Sequence, residues 1–156
     1  MICKKLKDYL DKNGVNYKVL VHPEAFTAQE IAAALHVPGK ELAKVVIIKA
    51  GERFVMAVLP ASWKIDMHKL KELLQTKDVR LATEEEFGKL FPDCEVGAMP
   101  PFGNLYDIDV YEDKTLSEDK EIFFLAGNHT ESIKMDYADY AALVKPKIAE
   151  FGMRIT

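Results

Sequence analysis

The chain has 156 residues, of which 49% are hydrophobic and 29% charged, and its formal net charge is −4. This is an ordinary globular balance, and the length suffices for one domain with a sizeable core. The acidic excess argues against a protein that coats nucleic acid, DNA included, through a basic surface, but it allows a short contact with a few phosphates.

No stretch of the chain predicts a membrane segment or a secretory signal. The longest apolar run, residues 45–48, ends at Lys49 and falls short of the roughly 20 residues that cross a bilayer. Charged residues interrupt the apolar positions of the N-terminus, unlike those of a signal peptide. Cys3 and Cys94 lack CxxC spacing, which favours a reducing compartment over a disulfide framework. We therefore expect a cytoplasmic protein with no membrane partner.

Apolar periodicity and capping signals predict both helices and strands in the first half of the chain. In chain order these are a helix over 2–13, a strand over 17–22, a helix over 27–35, strands over 43–50 and 53–60 and a helix over 67–74. Thr27 and Glu30 form a capping box, and Asp66 is expected to cap the helix that follows it. The two apolar strands flank Gly51 and predict a hairpin.

The second half is predicted to alternate short strands with two further helices. In chain order it contains a strand over 79–82, a helix from Thr83 that ends before Pro92, a loop over 96–104, a strand over 105–111, a strand over 121–125, a turn over 126–130, a strand over 132–135 and a helix from Asp136 that Pro146 limits. Thr83 and Glu86 form a second capping box, and Asp136 is expected to cap the last helix. Alternation of polar and apolar residues predicts that the strand over 105–111 is half-exposed.

These elements together predict an α+β domain. Hairpin-linked strands mixed with surface helices favour a mixed, largely antiparallel sheet with surrounding helices. The chain has no internal repeat, low-complexity tract or Gly/Ser linker, so we expect residues 1–156 to form a single domain.

Familiar catalytic and metal-binding patterns are absent from the sequence. It contains no GxSxG, HExxH, GxxxxGKS/T or GxGxxG motif. Its histidines are His22, His36, His68 and His129, and no two of them have the i, i+4 spacing of a metal-binding pair on a helix. We therefore expect no bound metal and no cofactor.

Lys44 opens the apolar strand predicted over residues 43–50. Strand alternation places it on the same face as Val46 and Ile48, where a lysine must reach the edge of the sheet or meet an anion. The residue is therefore either an ordinary strand-end lysine in water or a group that binds an anion.

The loop from Gly97 to Gly103 combines two glycines with Pro100 and Pro101. Prolines restrict the path of the chain, and glycines leave backbone N–H groups open to a ligand. Such a loop either binds an anion or a carbonyl oxygen or is a rigid connector. Residues 127–129 form a further candidate turn, but turns favour Gly and Asn for conformational reasons, so its histidine, taken alone, is better explained as an exposed turn residue than as a catalyst.

The lysine, the Gly/Pro loop and the turn occur together, in the same order, in the YbaK/prolyl-tRNA synthetase-associated editing-domain family, which the chain resembles along nearly its whole length. The matching stretches are residues 41–46, 57–60, 65–70, 97–103, 127–129 and 133–137. The resemblance implies a hydrolase that cuts the ester between an amino acid and the terminal adenosine of a mischarged tRNA, with no metal and no obvious nucleophile. It also implies the tRNA acceptor end as a partner and allows an aminoacyl-tRNA synthetase as another.

The resemblance also implies roles for particular residues. Lys44 matches the family lysine near the terminal nucleotide, and Gly97 and Pro101 match a GxxxP loop whose backbone faces the substrate carbonyl, so we expect these three to be catalytic. Pro100 replaces a small residue and would reshape the pocket, and His129 matches a position that lines the amino-acid pocket in some relatives. The other expected substrate-binding residues are His22, Met99, Phe102, Gly103, Gly127 and Asn128.

The implied reaction needs no Ser-His-Asp set. An aminoacyl ester is already activated, so the protein has mainly to hold it, orient water and stabilise the developing oxyanion. Two other interpretations remain open. One is a catalytically silent module that binds an RNA end or a synthetase, and the other is a small-molecule-binding protein unrelated to tRNA.

Overall fold

A computed structural model describes residues 2–155. Its helices are α1 (Lys4–Lys12), α2 (Ala28–Leu35), α3 (Met67–Leu74), α4 (Glu84–Gly88) and α5 (Tyr137–Val144). Its strands are β1 (Tyr17–Val21), β2 (Ala43–Ala50), β3 (Arg53–Pro60), β4 (Trp63–Ile65), β5 (Val79–Leu81), β6 (Asp109–Asp113), β7 (Glu121–Leu125), β8 (Glu131–Asp136), β9 (Lys147–Ala149) and β10 (Gly152–Arg154). Gly103–Tyr106 and Lys114–Glu118 form 3₁₀ helices. None of the described helices has the length and apolar composition needed to cross a membrane.

The largest sheet has five strands in the order β5-β2-β3-β6-β9. Strands β2 and β3 form the predicted antiparallel hairpin, with Ala43 opposite Pro60 and Ala50 opposite Arg53. Strand β3 pairs with β6, and β6 with β9, in parallel. Two antiparallel sheets, β1-β8-β7 and β10-β4, accompany it. The predicted α+β fold with mixed, largely antiparallel pairing is therefore confirmed.

Strand β3 separates two layers of the hydrophobic core because alternate side chains of a strand point to opposite faces. Met56 and Val58 belong to a cluster that includes residues of α1 and α5. Val55 and Ala57 belong to a second cluster, which includes residues of α3. All four side chains are fully buried. The hairpin that carries Lys44 is thus anchored in a strand covered on both faces.

The predicted helix starts are largely confirmed. Both capping boxes form, at α2 and at α4, and the Asp66 side chain accepts hydrogen bonds from two backbone N–H groups at the start of α3. The side-chain cap predicted at Asp136 is wrong, because its carboxylate makes no capping hydrogen bond although α5 begins directly after it. Asp136 is also the last residue of β8, paired with Glu121, so the strand fixes its backbone.

The strand predicted over residues 105–111 is wrong in its first half. The chain forms a 3₁₀ helix there, Asp107 has a left-handed backbone with φ of 56°, and β6 begins only at Asp109. The Ile108 N–H closes this turn by donating to Gly103 O at 2.9 Å. Aspartate tolerates the left-handed region, and a polar–apolar alternation over so few residues does not distinguish the turn from a strand.

Three short strands, β4, β9 and β10, were not expected from the sequence. Each spans three residues, too few to show a period, and each is specified by its partner strand instead. Asp113 supports one of them, because its Oδ1 accepts hydrogen bonds from Phe151 N–H at 3.0 Å and from Gly152 N–H at 2.7 Å. Long-range contacts of this kind leave little trace in a local pattern.

Glu112 is a fully buried acid in the middle of β6. The Tyr137 hydroxyl donates to its Oε2 at 2.5 Å, whereas its Oε1 has no hydrogen-bond partner within residues 2–155. Burial raises the pKa of Glu112 to about 7, and the nearby carboxylates of Asp113 and Asp119 act in the same direction. Below about pH 7 the folded protein therefore favours the protonated form of this side chain.

We expect Glu112→Gln to stabilise the protein increasingly as the pH rises from about 4.5 to 7. Over that range the unfolded chain releases the Glu112 proton while the folded chain retains it, so the wild-type free energy of unfolding falls with rising pH. Each pKa unit corresponds to about 1.4 kcal/mol, which sets an upper bound of about 3.5 kcal/mol on the difference. Urea denaturation of both proteins across this range measures it.

The matched control for this prediction is Glu52→Gln, which removes the same charge at the exposed hairpin turn. The free energy of unfolding of Glu112→Gln should differ from that of the wild type by an amount that grows with pH. The difference between Glu52→Gln and the wild type should not grow with pH. Parallel pH profiles for the wild type and Glu112→Gln would show that the buried carboxyl does not carry the effect.

Candidate active site

A cavity of about 160 Å³ lies beside the start of β2. It is lined by Phe26, Ala28, Ile31, Leu42, Ala43, Lys44, Val45, Gly97, Met99 and Leu125. Lys44 is the one charged residue in this lining, and most of the others are apolar. The cavity thus combines an apolar wall with a single cation and with the first half of the Gly/Pro loop.

Lys44 is partly buried and faces Leu59 across the hairpin. Within residues 2–155 its ammonium has no carboxylate at salt-bridge distance and no hydrogen-bond acceptor, and burial lowers its pKa. Lys44 also borders a second, more open depression of about 460 Å³, whose lining includes Lys64 and Met67. An unpaired cation between two concave surfaces is suited to an anionic ligand that spans both.

Gly97 presents its backbone to the cavity. Its φ of 86° lies in the left-handed region, which a residue with a side chain rarely adopts. The Ala98 N–H donates to Glu95 O at 3.0 Å and the Phe102 N–H to Pro100 O at 2.8 Å. In the described part of the chain the N–H groups of Gly97 and Met99 have no acceptor. These two are therefore the loop donors that can serve a ligand in the cavity.

The rest of the loop is embedded in the core and does not line the cavity. Pro100 and Pro101 are buried, and Pro101 O accepts a hydrogen bond from the Tyr140 hydroxyl at 2.8 Å. Phe102 packs its ring against Tyr140, with centroids 5.3 Å apart. A Cβ on Gly103 would lie 2.6 Å from a backbone oxygen, so that glycine permits close packing. These residues fix the loop rather than contact the cavity.

His129 lies next to the cavity and is buried, not exposed. Its Nδ1 donates to Glu95 Oε1 at 2.9 Å, and its ring packs on Phe26 with centroids 4.7 Å apart. The hydrogen bond from His129 lowers the pKa of Glu95. A Cβ on Gly97 would lie 3.7 Å from His129 Nε2, so the histidine ring lies close to the loop at Gly97.

The other expected binding residues hold the surrounding turn. Gly127 donates its N–H to Ala98 O at 2.9 Å. Asn128 Oδ1 accepts a hydrogen bond from the backbone N–H of Thr130 at 3.0 Å. His22 is buried, and its Nε2 lies 2.9 Å from Ser132 Oγ. None of Gly127, Asn128 and His22 lines the cavity.

Sequence reasoning missed the residues that form the opposite wall. Phe26, Ala28 and Ile31 come from the start of α2 and the segment before it, and Leu125 comes from the end of β7. Phe26 is 64% exposed, which is unusual for a large apolar side chain. The Thr27 capping box located α2 correctly, but nothing local indicates that its first turn faces Lys44.

The fold and the cavity define a small α+β domain with one cation in an apolar pocket. Residues 22–143 match the family model of the aminoacyl-tRNA editing domain, and the chain belongs to that family. The resemblance to editing domains noted in the sequence is thereby confirmed.

Proline–tRNA ligases are among the relatives of the chain. It is 33% identical to that of Bacillus subtilis (strain 168) over 94 residues, which is 60% of the chain and 16% of the ligase. It is 30% identical to that of Caldicellulosiruptor bescii over 109 residues, which is 70% of the chain and 18% of the ligase. The chain thus spans less than one fifth of these relatives.

A solved structure of a candidate trans-editing enzyme for prolyl-tRNA synthetase has the same fold. It superposes with a TM-score of 0.84, covers 97% of this chain and 96% of its own, and is 21% identical in sequence. At that identity the similarity supports the fold alone. It agrees with the mixed, largely antiparallel architecture described above.

Proposed function

We propose that the chain is a trans-acting aminoacyl-tRNA deacylase, a hydrolase that cleaves the ester of mischarged tRNA. The observation that carries this proposal is the meeting of Lys44 with Gly97 and Met99, whose N–H groups have no acceptor in the described part of the chain, in the lining of one apolar cavity. A cation and free backbone donors are the groups that an ester linked to a phosphodiester chain requires. Membership of the editing-domain family supports the same conclusion.

The two concave surfaces suggest how the substrate is divided. The aminoacyl group enters the cavity of about 160 Å³, and the terminal nucleotide lies over the open depression of about 460 Å³. Lys44 borders both and therefore lies near the ester and its adjoining phosphate. Lys64 adds a second cation to the nucleotide side. A net charge of −4 is compatible with this contact because only the acceptor end is held.

The chemistry follows from positioning and electrostatic stabilisation. Water attacks the ester carbonyl, and negative charge develops on the carbonyl oxygen. The N–H groups of Gly97 and Met99 stabilise that charge, while Lys44 holds the phosphate. The ribose oxygen leaves and takes up a proton, and a neighbouring ribose hydroxyl can assist the transfer. The products are a free amino acid and uncharged tRNA.

The shape of the cavity favours an aminoacyl group with a small, uncharged side chain. Its volume lies below the roughly 300 Å³ at which drug-sized ligand pockets begin, and its wall of Ile31, Val45 and Leu125 offers no partner for a charged side chain. A long cationic side chain such as that of arginine would leave its charge unsolvated there. A difference of one methylene changes binding by only about 1–3 kcal/mol, so neighbouring small amino acids are discriminated weakly.

Deacylation assays on a panel of mischarged tRNAs test the proposal. We expect fast hydrolysis of esters of small uncharged amino acids and slow hydrolysis of arginyl and tryptophanyl esters. Binding of the acceptor end without hydrolysis of any ester would instead support the silent-module interpretation. Absence of both binding and hydrolysis would favour a small-molecule-binding protein. A pull-down with purified synthetases asks separately whether the domain acts alone or docked.

We expect ester hydrolysis to need no metal ion, because an activated ester does not require a Lewis acid and the cavity lining contains no His, Cys, Asp or Glu. The measurement is single-turnover deacylation before and after a chelator selective for transition metals, with magnesium held constant for tRNA folding. The rate should be unchanged. Loss of the hydrolytic step that zinc restores would contradict this expectation.

A further inference from the structure

Three metal-ligating side chains from two distant parts of the sequence meet at one place, and none of them lines the cavity beside Lys44. The sulfurs of Cys3 and Cys94 and a carboxylate oxygen of Asp93 all lie within 4.8 Å of one another. Cys3 Sγ donates to Asp93 Oδ2 at 2.6 Å, and Cys94 Sγ lies 3.8 Å from Asp93 Oδ1. The carboxylate thus contacts both thiols, one with each oxygen.

We propose that Cys3, Asp93 and Cys94 bind a thiophilic divalent cation, Zn²⁺ above all, at a site separate from the deacylation cavity. Two sulfurs and a carboxylate oxygen are ligands that zinc prefers, at about 2.3 Å from sulfur and about 2.0–2.2 Å from oxygen. Ligands of one tetrahedral ion then stand about 3.7 Å apart. The present separations reach that geometry through small side-chain movements, and solvent can supply the fourth ligand because Asp93 is exposed.

Tyr106 provides the outer support that such a site needs. Its hydroxyl donates to Asp93 Oδ1 at 2.9 Å and lies 3.4 Å from Cys3 Sγ. Ligating carboxylates are commonly oriented by hydrogen bonds of this kind, which fix the ligand before the ion arrives. Lys5 stands over the Tyr106 ring, with its Nζ 4.6 Å from the centroid, and holds the ring in place.

Charge balance is compatible with binding at this partly buried place. Each thiol releases its proton to solvent when its sulfur joins the ion, and the bound cation replaces those two positive charges. The cluster with one ionised carboxylate therefore carries the same net charge with and without the ion. Cys3 is 5% exposed, so a change in net charge would be costly there.

The ion would connect two chain segments directly, and a third through the Tyr106 hydrogen bond. Cys3 is the residue before α1, Asp93 and Cys94 precede Gly97, and Tyr106 follows the loop in the 3₁₀ helix. Cys3 N–H also donates to Ala126 O at 2.9 Å, which ties the cluster to the turn that begins at Gly127. A bound ion should therefore stabilise the fold around the loop without contacting the ester.

The test uses the full chain, freed of metal and kept reduced with a phosphine rather than a thiol. We expect one Zn²⁺ per chain in competition with a chromophoric chelator, and a melting temperature that rises with free zinc, as binding to the folded state requires. Co²⁺ in place of zinc should give the charge-transfer absorption of thiolate–cobalt bonds. These readouts are independent of deacylation. The zinc-site proposal can therefore be wrong while the proposed deacylase activity is correct, and the deacylase proposal can be wrong while the zinc site is correct.

Variants assign the ligands. Cys94→Ser and Asp93→Asn should each weaken zinc binding by more than tenfold, and Cys94→Ser should remove most of the cobalt–thiolate absorption. Tyr106→Phe keeps every ligand but removes the supporting hydroxyl, so its zinc affinity should fall about 10–100-fold. Asp8→Asn, at an exposed position of α1, is the matched control and should bind as the wild type does. Zinc binding of unchanged affinity in Cys94→Ser, or a cobalt-loaded wild type without thiolate charge-transfer absorption, would overturn the proposal.

Discussion

Lys44→Ala should lower single-turnover deacylation about ten- to hundredfold while the protein stays folded. A charge-assisted contact to phosphate contributes about 1.5–3 kcal/mol, which corresponds to that range of rates if the contact is made in the transition state. The same substitution should cost little stability. Within residues 2–155 the ammonium has no ionic partner, and burial already lowers its pKa, so its removal relieves a desolvation cost.

Lys18→Ala is the matched control for this loss. Lys18 is also a strand lysine, but it is exposed on β1 and lines a different surface depression with Tyr17 and Lys134. The Lys18→Ala substitution removes the same charge at a distance from the cavity, so it measures the effect of net charge alone on tRNA binding. Unchanged deacylation by a folded Lys44→Ala protein would remove Lys44 from the site. Equal losses of deacylation rate in the two variants would mean that Lys44 contributes only a general electrostatic attraction for tRNA.

Local patterns predicted the parts of the fold that local interactions determine. The Thr27 and Thr83 capping boxes and the apolar hairpin around Gly51 are present as expected, because each depends on residues a few positions apart. The register of β9 against β6 and the pairing of β10 with β4 depend on contacts between residues far apart in the chain. No periodicity of the sequence encodes such pairings directly.

The same distinction between local and long-range interactions applies to the candidate site. Lys44 and Gly97 were identifiable because a lone lysine in an apolar strand and a Gly/Pro loop are unusual in sequence, and the resemblance joined them. Phe26 and Ile31 complete the wall only because α2 packs beside β2, which tertiary structure alone decides. The meeting of Cys3 with Cys94 had no signal at all, since their spacing fits no familiar metal motif.

The expectation for the loop is that Gly97→Val lowers the hydrolytic rate by a factor of about 10²–10³, the loss that follows removal of one oxyanion donor in a well-studied hydrolase. Gly97 has a φ of 86°, and a Cβ there would lie 3.7 Å from His129 Nε2. A branched side chain cannot keep that backbone without strain, so the N–H groups of Gly97 and Met99 should turn away from the cavity.

Backbone strain alone would also lower stability, and Gly51→Val separates the two effects. Gly51 has a φ of 62° at the hairpin turn, and a Cβ there meets nothing within 4 Å. Both variants should therefore lose stability through strain of about 1–3 kcal/mol. Only Gly97→Val should lower the hydrolytic rate by more than the lost stability explains. Its tRNA affinity should change less than its rate, because the oxyanion exists only in the transition state.

The hydrolytic rate, the tRNA affinity and the melting temperature, measured on both proteins, distinguish the two effects. If the rate of Gly97→Val falls no further than that of Gly51→Val at matched stability, the loop is a connector and its N–H groups do not stabilise the transition state.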